Sequence, residues 1–387
     1  MNKLPNGWEE KRLDDLFKEF TEKNHADKNI LASTQDRGVI PSDLLDRHII
    51  RKKESLSNYK LVKKGCFVIS LRSFQGGFEY SNYEGIISPA YTILEPKMKL
   101  VDDFYKYYFK SYYFINKSLP KYAEGIRDGK QIKYKACKEI LVPYPPLDEQ
   151  KRIASALSKI DAYLENTIKL IEEKERFKRG IAKKLLTCKE GENIPEARFK
   201  GFEDKWEETQ ILEFVNNNII KIEKGKSITK SKIEEGDIPV IAGGKTPPYY
   251  HNKYNYNFPC ITISASGSAG YVWFHDYKIW ASDCHVIYTD NKRYNIKFLY
   301  HYLKNIQDLI YYLQVGGVQK HVYAKDLIKL NIPNITIEEQ EKIGGYLSLL
   351  DAEIDNLKKQ KELIKEMKRG AMQKLLSGEV RLVDNYD

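Results

Sequence analysis

The apolar positions of this chain follow two alternating patterns. In the first, apolar residues recur at spacings of three and four, flanked by Lys and Glu. They are Ile153, Leu157, Ile160, Leu164, Ile168 and Ile171 in one stretch, and Ile343, Leu347, Leu350, Ile354, Leu357 and Ile364 in another. That spacing predicts two long helices whose narrow apolar stripes form a helix–helix seam. Pro145 and Pro146 precede the first stretch and Pro333 the second; a proline cannot extend a helix backwards, so these are start signals. At 1.5 Å per residue, about 40 residues give a rod about 60 Å long. The alternative of two core helices in one globular domain fits the length and the narrow stripes less well.

In the second pattern, short apolar runs alternate with Gly, Pro, Asn and Tyr, across residues 1–145 and 190–335. Residues 66–70, 90–94, 260–264 and 285–288 read as strands. Residues 102–117, with Phe104, Tyr108 and Tyr112, and residues 295–314, with Phe298, Tyr302 and Ile306, read as helices. Both stretches run in one order: a Trp (Trp8, Trp206), strands, a glycine turn (Gly76-Gly77, Gly267 to Gly270), strands, a helix, and a Gly-Gln element in which Gln131 is matched with Gln319.

The chain is therefore an internal repeat. Residues 148–187 align with 338–377 without a gap at an offset of 190, and roughly 16 of about 40 pairs are identical. The pairs include Glu149/Glu339, Gln150/Gln340, Leu157/Leu347, Asp161/Asp351, Arg179/Arg369, Gly180/Gly370 and Leu185/Leu375. The globular halves match far less well. A repeated scaffold with divergent contents suggests one task applied to two targets.

Composition narrows the classes. The chain has 387 residues, enough for two or three domains. No apolar run reaches the roughly 18 residues of a membrane span. The start, with Trp8 amid charges, does not read as a signal peptide, so a cytoplasmic location is expected. The five cysteines Cys66, Cys137, Cys188, Cys260 and Cys284 are widely spaced and form no CxxC, which suits free thiols. Lys and Arg exceed Asp and Glu by 64 to 54, a net +10. That suits a nucleic-acid partner, although a Lys-rich proteome would explain it equally. The 28 tyrosines lean toward a binding surface.

Catalytic constellations are missing from the pattern. There is no P-loop. Thr246-Pro-Pro-Tyr249 resembles the Asn/Asp-Pro-Pro-Tyr motif of amino-methyltransferases, but Thr stands where the amide or carboxylate belongs, and no glycine-rich cofactor loop follows a strand upstream, so a proline turn is preferred. Cys284-His285, with His251 and His275, fits no zinc-ligand spacing, and no metal is expected.

Several segments resemble one family. Leu141-Val-Pro-Tyr-Pro-Pro-Leu-Asp-Glu-Gln-Lys-Arg-Ile-Ala154 resembles the proline-rich entry to the helical region of type I restriction–modification specificity subunits, and residues 332–343 do so less closely. The endings 178–186 and 368–376, Lys-Arg-Gly followed by Lys-Leu-Leu, and the start Leu4-Pro-Asn-Gly-Trp-Glu9 are similar to it as well. The resemblance implies an α+β fold: two α/β target-recognition domains, each followed by a long helix, with the helices packed as an antiparallel coiled coil. The expected boundaries are 1–145 and 190–335 for the recognition domains, and 146–189 and 336–387 for the helices and tail. It implies a non-catalytic subunit that reads a split, asymmetric double-stranded DNA sequence. Two methyltransferase subunits would dock on it and methylate adenines with S-adenosylmethionine. Restriction–translocase subunits using ATP and Mg would join them. This chain would hold no cofactor and meet no membrane.

Candidate DNA contacts come from side-chain chemistry. In the first globular half they are Arg72, Ser73 and Gln75 on a glycine-flanked loop, and Arg127, Lys130, Gln131, Lys133 and Tyr134 in the Gly-Gln element. In the second they are Ser264, Ser266 and Ser268, then Gln319, Lys320, His321 and Tyr323. Arg and Gln can bond base edges bidentately, whereas Lys and Ser more often meet phosphate. The helix ends near Arg179 and Arg369 are candidate docking surfaces for methyltransferase subunits. Three alternatives stand beside this reading: a methylation-only or other modification system, a DNA-modifying enzyme carrying its own catalytic domain, and a coiled-coil adaptor without a DNA role.

Overall fold

The computed structural model describes residues 4–45, 53–124 and 131–383. The chain divides into two compact units, Met1–Ile168 with Gln360–Asp387, and Lys169–Lys359. Each unit holds one globule and pieces of two helices. The central helix is Leu147–Leu186 and the C-terminal helix is Ile337–Leu376, both 40 residues. Their ends correspond at the same offset of 190 (147 to 337, 186 to 376) that the sequence shows.

Each helix starts in the same way. Asp148 and Glu149, or Glu338 and Glu339, occupy the first turn, where carboxylates face the positive end of the helix dipole. The next residue is a buried glutamine that bonds the chain entering the helix. Gln150 Nε2 donates to Pro145 O at 2.8 Å and its Oε1 accepts from Val101 N at 2.9 Å. Gln340 repeats this with Ile335 O and Asn295 N, both at 2.8 Å.

The first globule is built on a four-stranded antiparallel sheet in the order Phe17–Phe20, Thr92–Pro96, Phe67–Ile69, Glu79–Tyr80. The second has the equivalent order Ile220–Lys224, Cys284–Thr289, Cys260–Ser264, Val272–His275. In both, the strand carrying the tryptophan's neighbours pairs with the strand that leads into the long helix: Glu9–Arg12 with Leu141–Tyr144, and Glu207–Gln210 with Asn331–Asn334. All five residues of Cys260–Ser264 are buried, the polar Thr262 and Ser264 included.

The expected helix 102–117 is shorter in the fold. An α-helix spans Asp102–Tyr108, and a separate π-helical turn follows at Phe114–Ser118. Tyr112 is therefore off the stripe and exposed. The second equivalent is Ile296–Asn305 followed by Gln307–Tyr312. It is capped by Asn295, whose side chain accepts from Lys297 N and Phe298 N, the capping chemistry that favours Asn there.

The cores are aromatic. In unit 1, Phe17, Phe67, Phe78, Tyr105, Phe109 and Phe114 are fully buried and meet edge to face or tilted, such as Phe67 and Phe109 edge to face at 5.0 Å and 86°. Trp8 packs on Phe104 at 6.4 Å and 82°, and Trp206 on Phe298 at 6.2 Å and 78°. Each such ring contributes about 1.5–3 kcal/mol by leaving water.

The seam differs from its sequence outline in two ways. Ile153 and Leu157 belong to the core of the first globule, and Ile343, Leu347 and Leu350 to that of the second. The opening turns of each helix thus serve the globule before they serve the seam. Ile168 is 36% exposed while Thr167 is 5% exposed. The inward positions run 160, 164, 167 and 171, with Ile160 and Leu164 half-buried and Thr167 and Ile171 buried; they keep a seven-residue repeat, so the seam follows register instead of hydrophobicity. Thr167 tolerates this because its hydroxyl donates to Tyr163 O at 2.8 Å.

Within each unit the helix segments run antiparallel. In unit 2, Lys174 pairs with Glu353 at 2.7 Å, Glu175 with Lys358 at 2.7 Å, and Lys178 with Asp351. In unit 1, Asp161 pairs with Lys368 at 2.5 Å and Tyr163 bonds Gln360. Lys178 and Lys368 are one repeat position, and Asp161 and Asp351 another. The same contact therefore recurs with the helices exchanging roles.

No helix among the described residues is long and apolar enough to cross a membrane. All five cysteines are free, and burial pushes the thiols of Cys137, Cys260 and Cys284 up to about 12, so these three are thiols and not thiolates at neutral pH.

Candidate nucleic-acid interface

In unit 1 the loop after the strand Phe67–Ile69 turns through a short helix, Ser73–Gly76. Ser73 is buried; its Oγ accepts from Ser70 N at 2.8 Å. Its hydroxyl holds the loop and does not face solvent. Lys110 braces the same loop from below, donating to Gly76 O at 2.8 Å, Gln35 O at 3.2 Å and the buried Glu79 carboxylate. Burial pushes the Glu79 carboxyl above its ordinary range, against the pull of Lys110. The braced loop leaves Arg72 and Gln75 exposed. Arg72→Ala is expected to weaken cognate duplex binding about 5- to 100-fold, the worth of a bidentate base contact, and random-duplex binding much less. Equal losses on both duplexes, titrated at matched salt, would reduce Arg72 to a phosphate contact.

Arg127 and Lys130 lie outside the described residues. The backbone of Gln131 pairs with Glu124 in a short ladder. Lys133 is exposed. Tyr134 is half-buried, with its hydroxyl donating to Phe17 O at 2.9 Å.

Unit 2 presents the equivalent loop between Cys260–Ser264 and Val272–His275. Ser264 is buried, its hydroxyl bonding Ala242 O at 3.4 Å, and Ser266 bonds Asp283. Ser268 is half-buried, and its backbone N donates to Gly243 O at 2.6 Å. Of these three serines, Ser264 and Ser266 use their hydroxyls inside the fold.

Beside that loop stands a finger of residues 315–321. Val315 N donates to His321 O at 2.9 Å and His321 N to Val315 O at 2.8 Å. Gln319 and Lys320 are exposed within it. His321 stacks on Tyr323 at 6.2 Å and 19°, with Lys325 over the Tyr323 ring at 5.5 Å. The short helices that follow, Tyr134–Cys137 and Ala324–Leu327, are again 190 apart. By that register Gln131 corresponds to His321, not to Gln319. The match of Gln131 with Gln319 is therefore slipped by two residues.

The histidines weighed for zinc are occupied otherwise. His275 Nε2 meets Thr262 Oγ1 at 2.8 Å, His285 Nε2 meets Val322 O at 2.9 Å, and His251 Nδ1 meets the Glu234 backbone. Burial pushes the His275 imidazole down to about 3. Among the described residues no cluster of His, Cys, Asp or Glu is placed to hold a metal. Thr246-Pro-Pro-Tyr249 forms bends leading into the strand Tyr249–His251.

Sequence reading missed a pair of clamps. Glu149, buried at the start of the central helix, accepts from Trp8 Nε1 at 2.9 Å and from Arg381 Nε and Nη2 at 2.6 and 2.8 Å. Glu339 does the same with Trp206 Nε1 at 3.4 Å and Arg198 Nε and Nη2 at 2.8 Å each. Each arginine lies in the tail that follows the opposite helix. The Glu and Trp repeats are visible in the sequence. The arginines escape because one falls 12 residues past its helix and the other five.

The repeat is also seen by comparison with a known family. The model for the type I restriction–modification DNA specificity domain matches twice, at residues 5–173 and 203–366. The chain belongs to this family. It is a type I specificity subunit, with two specificity domains in tandem. A putative type I restriction enzyme specificity subunit of Methanocaldococcus jannaschii is 27% identical over 99% of this chain and 96% of its own. A second specificity subunit of that organism is 24% identical over 98% and 94%. Among solved structures, the type I S subunit of M. genitalium shares the fold, with a TM-score of 0.63 at 19% identity over 97% of both chains. The HsdS subunit of Thermoanaerobacter tengcongensis has a TM-score of 0.52 at 17% identity over 98% of both.

Proposed function

We propose that each specificity domain of this subunit reads one half of a split, asymmetric double-stranded DNA sequence, and that the chain itself performs no chemistry. The observation that carries this reading is the contrast between halves. The clamps, the buried glutamines, the sheet order and the helix register repeat, while the exposed loops do not: Arg72 and Gln75 in one unit stand against Gln319, Lys320 and His321 in the other. Loops on an identical frame present different donors to the bases, so the two half-sequences differ. Helix length then governs the gap between them. The net charge of +10 supplies the sequence-independent attraction to phosphate.

The reading extends to partners. Two methyltransferase subunits using S-adenosylmethionine dock on the helices, with the ends near Arg179 and Arg369 as their contacts. Restriction–translocase subunits using ATP and Mg complete the system. The recognition domains correspond to residues 1–145 and 190–335, and the complex works in the cytoplasm.

The test is selection from a random duplex pool by the purified chain, alone and with its methyltransferase partner. Enrichment of one bipartite sequence, matching the adenine methylation that vanishes from the genome when the gene is deleted, supports the proposal. A pool without an enriched bipartite sequence in either case leaves a coiled-coil adaptor. Methylation by the isolated chain overturns the non-catalytic part.

A further inference from the structure

Val318 stands at the tip of the finger in unit 2 and is fully exposed. Its place in the fold does not require an apolar residue. Turns of this kind favour Gly, Asn, Asp or Ser, whose backbone and side-chain chemistry suits them. Here two glycines make the turn, and a valine follows them.

The finger is built to hold that valine out. Gly316 has φ +115°, and a Cβ there would lie 2.4 Å from Gln319 O, so the turn needs glycine. The base is closed by the reciprocal Val315–His321 bonds. It is tied to the sheet by Val322 N donating to Ala265 O at 3.1 Å and by His285 Nε2 at 2.9 Å from Val322 O. Val322 itself is buried in the core. The five residues 316–320 therefore project from an anchored base.

Gln319 follows Val318 directly and is exposed. Its amide carries one donor and one acceptor, the complement of adenine N6 and N7, and the methyl group of the paired thymine lies on the same major-groove edge. We infer that Val318 is a specificity-determining residue that packs on the 5-methyl group of a thymine, next to an adenine read by Gln319. A wedge pushed between base pairs is less well suited, because such wedges use longer or flatter side chains and a valine reaches only one carbon beyond Cβ.

This inference rests on the DNA-reading function proposed above, and one experiment separates the two. The probe is the duplex enriched by the wild-type chain, with each thymine replaced in turn by deoxyuridine, which removes only the methyl group. At one thymine of the half-sequence read by unit 2, wild-type binding is expected to fall about fourfold, the worth of one buried methyl. V318A is expected to fall by a similar factor on the unmodified duplex and to lose nothing further at that position, since both changes delete one contact. V318I is expected to keep the discrimination. Melting temperature should not move, because Val318 packs on nothing. Wild-type insensitivity to every deoxyuridine, or additive losses in V318A, would overturn the assignment while leaving the function intact. A loss in V318A accompanied by reduced DNA bending would replace it with a wedge. A wild-type chain that enriches no sequence overturns the function and this assignment together.

Discussion

Glu339→Ala is expected to destabilise unit 2 by about 3–5 kcal/mol, the usual cost of removing one partner from a buried ion pair. The Glu339 side chain is 2% exposed and the Arg198 side chain 11%. The carboxylate takes the guanidinium in a two-pronged bond and also accepts from Trp206. Alanine would strand a cation and an indole N–H in a largely buried site. Arg198 Nη1 already lacks a partner there. Replacing both Glu339 and Arg198 with apolar residues should recover much of the loss, because no unpaired charge remains. Urea unfolding reads the effect as a shift in midpoint at constant slope. A loss below about 1 kcal/mol would show that the pair behaves as a solvent-screened surface bridge. In unit 1 the same substitution at Glu149 should loosen the tail, leaving Arg381 with only its bond to Asn6 O at 2.9 Å.

Glu149 adds a pH dependence with a definite sign. Burial pushes its carboxyl up, but Arg381 and Trp8 together outweigh that and hold it below the ordinary value of 4.5. A group whose folded-state pKa is depressed contributes fully above its unfolded pKa and loses that contribution as pH falls through the folded value. Unit 1 should therefore weaken on the acid side of about 4.5, and Glu149→Gln should flatten that limb. A limb as steep in the variant as in the wild type would place the sensitive carboxylate elsewhere.

Gly77→Ala is expected to cost about 3 kcal/mol or more and, on the function proposed above, to abolish reading by unit 1. Gly77 has φ +75° and ψ −161°, a region open only to glycine, where another residue pays about 1–3 kcal/mol in strain. The added Cβ would also lie 1.9 Å from the carbonyl oxygen of Phe109. That oxygen is backbone at the end of the helix Asp102–Tyr108 and cannot swing away. Relief would have to come from the Arg72 loop, displacing the exposed Arg72 and Gln75. Gly180 is the contrast. It lies inside the central helix with nothing within 4 Å of its would-be Cβ. Gly180→Ala should stabilise by about 0.5–1 kcal/mol, the helix-propensity difference alone. Thermal unfolding of the two variants should move in opposite directions. A Gly77→Ala chain that melts and binds like wild type would mean the loop yields freely.

Much of the frame was legible because local rules and tertiary needs agree there. Proline entries, acidic first turns and a seven-residue repeat each specify the long helices independently, and the fold realises them at the expected offset. Reading faltered where a contact partner lies far along the chain. Ile168 is apolar and Thr167 is not, yet register buries Thr167. Ser73 and Ser264 carry hydroxyls suited to phosphate, yet burial turns them inward. Tyr112 continues a helical spacing, but the helix ends at Tyr108.

The sequence by itself determined that this chain is a duplicated frame carrying two unlike globular halves, because periodicity and self-similarity are local properties carried by consecutive residues. Only the tertiary structure decided which side chains are left exposed on the loops. Arg198 and Arg381 became clamps, Lys110 a brace, and Val318 an exposed tip, through contacts between residues dozens to hundreds of positions apart. Exposure and partnering are set by what the folded chain brings alongside a residue, and no local pattern encodes that.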